Sequence, residues 1–61
     1  MRFSELERIL RENGCIIYRE GANHTIWQNP ITGKKFPVPR HKQKEVTDGT
    51  LRSILRDAGI R

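Results

Sequence analysis

His24 occurs where a glycine-containing turn meets a run of residues that favour a β-strand, in the stretch GANHTIW that begins at Gly21. An imidazole exchanges its proton near neutral pH, so an accessible one at this position is a candidate general acid or base. Strand alternation places His24 on the same side as Ile26 and opposite Trp27. With Ile26 expected to point into the core, His24 lies at the rim of the core, beside the turn. The alternative is an ordinary polar residue of an exposed loop.

The centre of the chain is strongly basic and contains the second histidine, His41. The chain has 12 Lys and Arg against 7 Asp and Glu, which gives a net charge of +5. Such a balance favours a polyanionic partner, nucleic acid first, although many basic surfaces bind nothing specific. Arg40 suits bidentate binding of a phosphate, whereas His41 is a phosphate contact, a second proton-transfer group or simply a polar loop residue. Trp27 either stacks on a base or packs in the core. The candidate nucleic-acid-binding residues are Lys34, Lys35, Arg40, His41, Lys42, Lys44 and Trp27.

Composition excludes several other classes of protein. Cys15 is the only cysteine, so no disulfide can form within the chain, and its apolar neighbours indicate a small buried residue. No Cys or His cluster has the spacing of metal ligands, and no phosphate-binding glycine loop occurs, so we expect no metal and no other cofactor. The longest apolar run is too short for a membrane span, which predicts a cytoplasmic protein without a membrane partner.

The two ends of the chain predict amphipathic helices. In FSELERILRENG, Ser4 and Glu7 have the spacing of a capping box, and Gly14 suits the end of the helix. In TDGTLRSILRDAG, the cap is Thr47 or Asp48, and the glycine at the end allows the next residue, an isoleucine, to fold back onto the last turn. The apolar residues of each segment recur at helical spacing, so each helix has one face to bury.

Three short strands are predicted between the helices: CIIYRE, HTIWQ and KKFPVP. Their short connections favour antiparallel pairing. Pro37 and Pro39 confine the third strand to a sheet edge or an irregular ladder, because proline has no N–H group to donate. The predicted fold is therefore a single α+β domain over residues 1–61, in the order α-β-β-β-α. Two short helices can cover only one face of such a sheet, which leaves the other face open.

Three stretches, GANHTIW, NPITGKKFPVPRHK and GTLRSILRDAGI, together resemble the HicA-type toxins, also called YcfA-like proteins, of bacterial toxin–antitoxin pairs. The resemblance covers essentially the whole chain and implies a fold like that of the double-stranded-RNA-binding domain. It further implies an mRNA interferase that cleaves RNA without a metal and is neutralised by a HicB-type antitoxin. The family histidine that follows the turn glycine, most often as Gly-Ser-His, corresponds to His24. Here Gly21 and His24 are separated by one more residue, and the serine is absent.

The chemistry that this resemblance implies needs few protein groups, because RNA carries its own nucleophile in the 2′-OH. His24 is expected to remove the proton of this hydroxyl or to protonate the leaving 5′ oxygen. The basic residues are expected to stabilise the charge that develops on the phosphate. A non-catalytic module that binds duplex RNA by its shape is the main alternative, and a small DNA-binding protein is a third.

Overall fold

The computed structural model describes residues 1–41 and 43–60 of the chain. Its elements are the helix α1 (Phe3–Glu12), the strands β1 (Ile16–Glu20), β2 (His24–Gln28) and β3 (Lys35–Pro39), and the helix α2 (Asp48–Ala58). The predicted α-β-β-β-α order is therefore confirmed. Lys42, one of the predicted nucleic-acid-binding residues, lies outside the described residues. No helix in the described part of the chain is long and apolar enough to cross a membrane.

The sheet is antiparallel, with the strands in the order β1-β2-β3. β3 lies at an edge, the first of the two alternatives that its prolines left open. β1 pairs with the other side of β2, and a β-bulge between Ile17 and Arg19 of β1 interrupts this pairing. A bulge places one extra residue on its strand and turns neighbouring side chains away from strict alternation. Here the extra residue is Tyr18.

The face of β2 that enters the core is the opposite of the predicted one. Thr25 and Trp27 are buried, whereas Ile26 is only half-buried and His24 is exposed. The prediction that Ile26 points into the core is therefore wrong. Trp27 is the larger apolar side chain, and the register pairs it with Phe36 of β3, which is 2% exposed. His24 consequently lies on the open face of the sheet.

Trp27, Phe36 and Val38 of the sheet pack against Leu6 and Leu10 of α1, and these five are the largest fully buried side chains. The Arg11 guanidinium carbon lies 5.6 Å from the centroid of the Trp27 ring. Ile54 and Ala58 of α2 complete the same cluster. Cys15 is buried in it as predicted, and this burial raises the pKa of its thiol, which keeps the thiol neutral. Cys15 is thus a core residue and not a nucleophile.

α1 begins earlier than the sequence predicted. Its N-cap is Arg2, whose backbone N–H donates to Oε1 of Glu5 at 3.5 Å, so Ser4 lies inside the first turn and does not cap the helix. The Phe3 N–H donates to the Lys44 carbonyl at 3.1 Å, and the Phe3 side chain is buried in the core. These contacts hold Phe3 in place, so the helix begins at Phe3, one residue before Ser4. The other end is as predicted, with Gly14 at φ +84°.

α2 is held at both of its ends. Its N-cap is Thr47, one of the two predicted residues, whose Oγ1 accepts from the Thr50 N–H at 3.4 Å. At the other end the buried Asn29 donates from Nδ2 to the Ala58 carbonyl at 2.7 Å. Gly59 has φ +73°, and the Ile60 N–H donates to the Leu55 carbonyl at 2.9 Å, which confirms the predicted fold-back. The helix therefore has a fixed position along β3.

Candidate active site

The turn before β2 favours glycine at Gly21 because two backbone segments approach closely there. The Gly21 N–H donates to the His24 carbonyl at 2.8 Å. A Cβ atom at residue 21 would lie 3.0 Å from that carbonyl oxygen, so a larger residue would push the two segments apart. Gly21 thereby sets the point at which His24 enters the strand.

Arg40 fastens this turn from the other side. Its Nη1 donates to the Gly21 carbonyl at 2.7 Å, and its backbone N–H donates to the Asn23 carbonyl at 3.2 Å. Its Nη2 lies 3.8 Å from Oε1 of Glu20. Sequence analysis predicted a phosphate-binding arginine and did not foresee that this guanidinium contacts the turn that carries His24.

His24 is exposed and opens onto a groove of about 330 Å³ at the β3 edge of the sheet. One wall of the groove is formed by β3 and the other by the first turns of α2. Besides His24, its lining residues are Pro37, Pro39, Gly49, Thr50, Ser53 and Ile54. The N-terminus of a helix carries a partial positive charge and favours an anion beside it. The groove thus combines an imidazole with a surface that suits a phosphate.

The α2 wall of the groove carries the hydroxyl groups of Thr50 and Ser53 and has open space at Gly49. Oγ1 of Thr47 donates to Oγ1 of Thr50 at 2.9 Å, which leaves the Thr50 hydroxyl hydrogen available to donate elsewhere. Ser53 lies one helical turn further along the same face. A Cβ atom built on Gly49 meets nothing within 4 Å, so this glycine leaves open space in the groove.

Sequence analysis missed the contribution of Gly49, Thr50 and Ser53: it used their stretch as part of a helix and of the family resemblance and assigned these residues no place in the site. The available signal was a pair of hydroxyl residues three apart in the first turns of a helix. That spacing indicates a shared face, but the sequence does not say which surface lies opposite that face.

His41 lines a different cavity. This cavity has a volume of about 560 Å³ and lies on the helix-covered side of the sheet, where Thr25 forms part of its wall. Its basic residues are Arg11, Arg40, His41 and Lys44, and its acidic residues are Glu7 and Glu20. No described residue lines both this cavity and the groove at His24. The two histidines therefore line different cavities.

The described members of the predicted nucleic-acid-binding set lie in more than one place. Arg40, His41 and Lys44 line the cavity on the helix-covered side, whereas Lys34 and Lys35 lie at the other end of β3. Lys34 is the residue before β3 and forms an ion pair with Asp57 of α2, with 3.3 Å between Nζ and Oδ1. Lys35 begins β3, whereas Arg40 and His41 follow its other end. Trp27 is 1% exposed, so the prediction that it stacks on a base is wrong: its indole has no free face. Among the described residues, no three of His, Cys, Asp and Glu lie close enough to hold a metal ion.

The fold and the groove together define a small α+β domain in which an exposed imidazole lies beside the N-terminus of a helix. The family model for the HicA toxin of bacterial toxin–antitoxin systems matches residues 3–60. The chain therefore belongs to the HicA toxin family. It is 33% identical over 61 residues to a protein named "Probable mRNA interferase HicA 2" from Photorhabdus laumondii subsp. laumondii, with all of both chains covered. No solved structure gives a significant match.

Replacing Arg40 with alanine should loosen the turn and leave the fold intact. The change removes the donor to the Gly21 carbonyl, so we expect the Gly21 N–H, which bonds to His24, to exchange with solvent faster. Hydrogen exchange followed by NMR measures this directly. Arg52→Ala, at an exposed position of α2, is the control and should leave Gly21 protection unchanged. Equal protection of Gly21 in the wild type and Arg40→Ala would contradict the positioning role.

Proposed function

We propose that this toxin is a metal-independent endoribonuclease that cleaves mRNA with His24 as a general acid or base. Membership of the HicA family, together with the mRNA interferase name of the relative, indicates an endoribonuclease. The observation that supports the histidine assignment is the groove, in which an exposed imidazole faces the first turns of α2. General acid–base catalysis by one such group contributes about 10²–10⁴-fold to a rate.

In the proposed reaction the 2′-OH of one nucleotide attacks the adjacent phosphorus, and the bond from phosphorus to the 5′ oxygen breaks. One proton leaves the 2′-OH and one is gained by the 5′ oxygen, so the RNA products are a 2′,3′-cyclic phosphate and a free 5′-OH. His24 carries one of these two protons. The other transfer falls to water, which reaches an exposed groove.

The α2 wall would stabilise the charge that builds up on the non-bridging phosphate oxygens. The helix N-terminus and the hydroxyls of Thr50 and Ser53 are donors that line the same groove as His24. Such donors are effective when they need no rearrangement during the reaction. The Thr47 cap and the Asn29 contact at the far end hold α2 in place before any RNA arrives.

His41 is not required by this mechanism. It lines the separate cavity on the helix-covered side, together with cations that suit binding of the RNA backbone. A role in affinity is therefore more consistent with its position than a role in proton transfer at His24.

We further propose that a HicB-type antitoxin neutralises the toxin by covering the His24 groove. An exposed groove on a chain with a net charge of +5 attracts an acidic protein by long-range electrostatics. Occupation of the groove by a protein segment would exclude RNA from His24 directly.

His24→Ala should abolish growth arrest and lower RNA cleavage by about 10²–10⁴-fold, the range for loss of a general acid or base. The side chain is exposed, so its removal opens no cavity and the thermal unfolding midpoint should be nearly unchanged. Cleavage assays and circular dichroism on purified protein measure the two effects. His41→Ala is the matched control and should retain most activity. A folded His24→Ala protein that still cleaves RNA at the wild-type rate would contradict the catalytic assignment. If the wild-type protein binds RNA but does not cleave it, the duplex-RNA-binding alternative is favoured.

A side chain at residue 49 should block the groove without harming the fold. Leucine and alanine are both better helix formers than glycine by up to about 1 kcal/mol, and a Cβ there meets no neighbour. We expect Gly49→Leu to fold and to lose about tenfold or more in kcat/KM, because its side chain displaces the RNA from its reactive position. Gly49→Ala, the control, should lose far less. Unimpaired cleavage by a folded Gly49→Leu protein would place the RNA outside this groove.

The chemistry itself can be tested on the substrate. A 2′-deoxy sugar at the scissile nucleotide should abolish cleavage there, because the nucleophile is missing, whereas a 2′-deoxy sugar several nucleotides away should be tolerated. EDTA should leave the rate unchanged, and mass spectrometry should find the 2′,3′-cyclic phosphate or its hydrolysis product. Loss of activity in EDTA that magnesium restores, or cleavage at the 2′-deoxy position, would refute the mechanism.

A further inference from the structure

The open face of the sheet presents a second feature beside His24. Residues that pair across an antiparallel sheet point to the same side, so the register identifies the members of this face. Ile26 and Gln28 of β2 lie on it with His24, and their partners on the neighbouring strands lie on it as well. These partners are Ile16, Arg19, Lys35, Pro37 and Pro39.

Tyr18 belongs to the same face. Nζ of Lys35 lies 4.1 Å from the centroid of the Tyr18 ring. Lys35 is on β3 and Tyr18 on β1, with β2 between them, so the contact must cross β2 on one face of the sheet. Lys35 pairs with Gln28, which identifies that face as the open one. The bulge in β1 thus turns an aromatic ring, 55% exposed, towards the solvent above β2.

The charge of this face suits RNA. Every strand residue is described, and Glu20 is the only carboxylate among them. Glu20 pairs with the buried Thr25 and lines the cavity on the helix-covered side, so it does not belong to the open face. Arg19 and Lys35 are the charged strand residues that remain there. An exposed aromatic ring on a face that carries two cations and no strand carboxylate matches the surfaces that bind single-stranded nucleic acid by stacking.

We infer that Tyr18 stacks on the base of a nucleotide next to the scissile phosphate, an inference that rests on the proposed function. Tyr18 lies at the bulge opposite Ile26 and Trp27, two to three positions from His24 along β2 and one strand across. With strand spacings of about 3.3 Å per residue and 4.8 Å between strands, the backbone separation is roughly 10 Å. The side chains of the two residues are therefore close enough to contact the phosphate and the base of adjoining nucleotides. Tyr18 supplies the stacking surface that the buried Trp27 cannot.

Lys35 has a defined part in this arrangement. In the free protein its ammonium covers the exposed ring of Tyr18. A base that stacks there displaces the ammonium and brings its own phosphate group, to which the freed Lys35 can move. A cation–π contact at an exposed site is weak, so the exchange for a stacked base and an ion pair is favourable.

The test measures binding of RNA oligonucleotides by fluorescence anisotropy in the inactive His24→Ala background. We expect Tyr18→Ala to weaken binding by about 5- to 150-fold, the range that a stacked base contributes, and Tyr18→Phe to bind like Tyr18. Tyr18→Leu, which keeps apolar packing without an aromatic plane, should bind as weakly as Tyr18→Ala. Ile31→Ala, a change of an 88% exposed side chain in the β2–β3 turn, is the control.

An abasic nucleotide identifies the stacked base. Moved one position at a time along the oligonucleotide, it should weaken binding to the Tyr18 protein at one position next to the cleavage site. At that position it should have no further effect on Tyr18→Ala, since the two changes remove the same contact. Circular dichroism checks that each variant is folded.

Two results would overturn the inference. The first is equal RNA affinity in the Tyr18 and Tyr18→Ala proteins, or an equal abasic penalty in both. The second is a Tyr18→Ala protein that binds RNA normally but loses affinity for the antitoxin, which would make this face a protein interface. Neither result bears on cleavage, which His24→Ala tests separately in the otherwise wild-type chain, so the failure of Tyr18 and the failure of the proposed function are distinguishable.

Discussion

Burial of the Trp27 indole is the constraint on which the rest of this structure depends. Side chains alternate along a strand, so the residue that enters the core decides the face of every other residue on β2. Trp27 enters with Thr25, and His24 and Ile26 consequently face outward. Among the described residues, Nε1 of Trp27 has no hydrogen-bond partner, which costs about 1–3 kcal/mol. An aromatic side chain buries about 150–250 Å², worth about 4–6 kcal/mol at 25 cal/mol per Å², so burial outweighs that cost.

This constraint explains which parts of the fold were predictable from the sequence. The helices, the three strands, the glycine ends and the edge position of β3 all follow from local patterns, and the structure confirms them. Alternation gives the two faces of a strand but not which one is buried, and Ile26 and Trp27 both favour burial. The predicted start of α1 was wrong for a related reason. The Ser4 pattern is local, whereas the contact that fixes the start joins Phe3 to Lys44, far away in the chain.

The candidate site divides in the same way. His24 could be singled out from the turn and the family resemblance, because both are features of one short stretch. The groove wall opposite His24 could not be predicted, because Gly49 and Thr50 reach the groove only when α2 packs along β3. The basic residues are concentrated in one stretch of the sequence, but five residues of extended strand separate Lys34 from Arg40 in the structure. An extended strand rises about 3.3 Å per residue, so cations at its two ends lie far apart and need not share a site although they are close in sequence.

The two faces of the sheet therefore have different tasks in a chain with little structure to spare. A domain of about 60 residues buries only about 60% of the surface of its unfolded chain, so one face must hold the core. The open face can then carry exposed groups whose loss costs little stability, such as His24 and Tyr18. α2 connects the two tasks, because Ile54 both packs in the core and lines the groove. The contacts that fold α2 onto the sheet thereby also hold its N-terminus beside the imidazole, so folding alone is enough to form the candidate site.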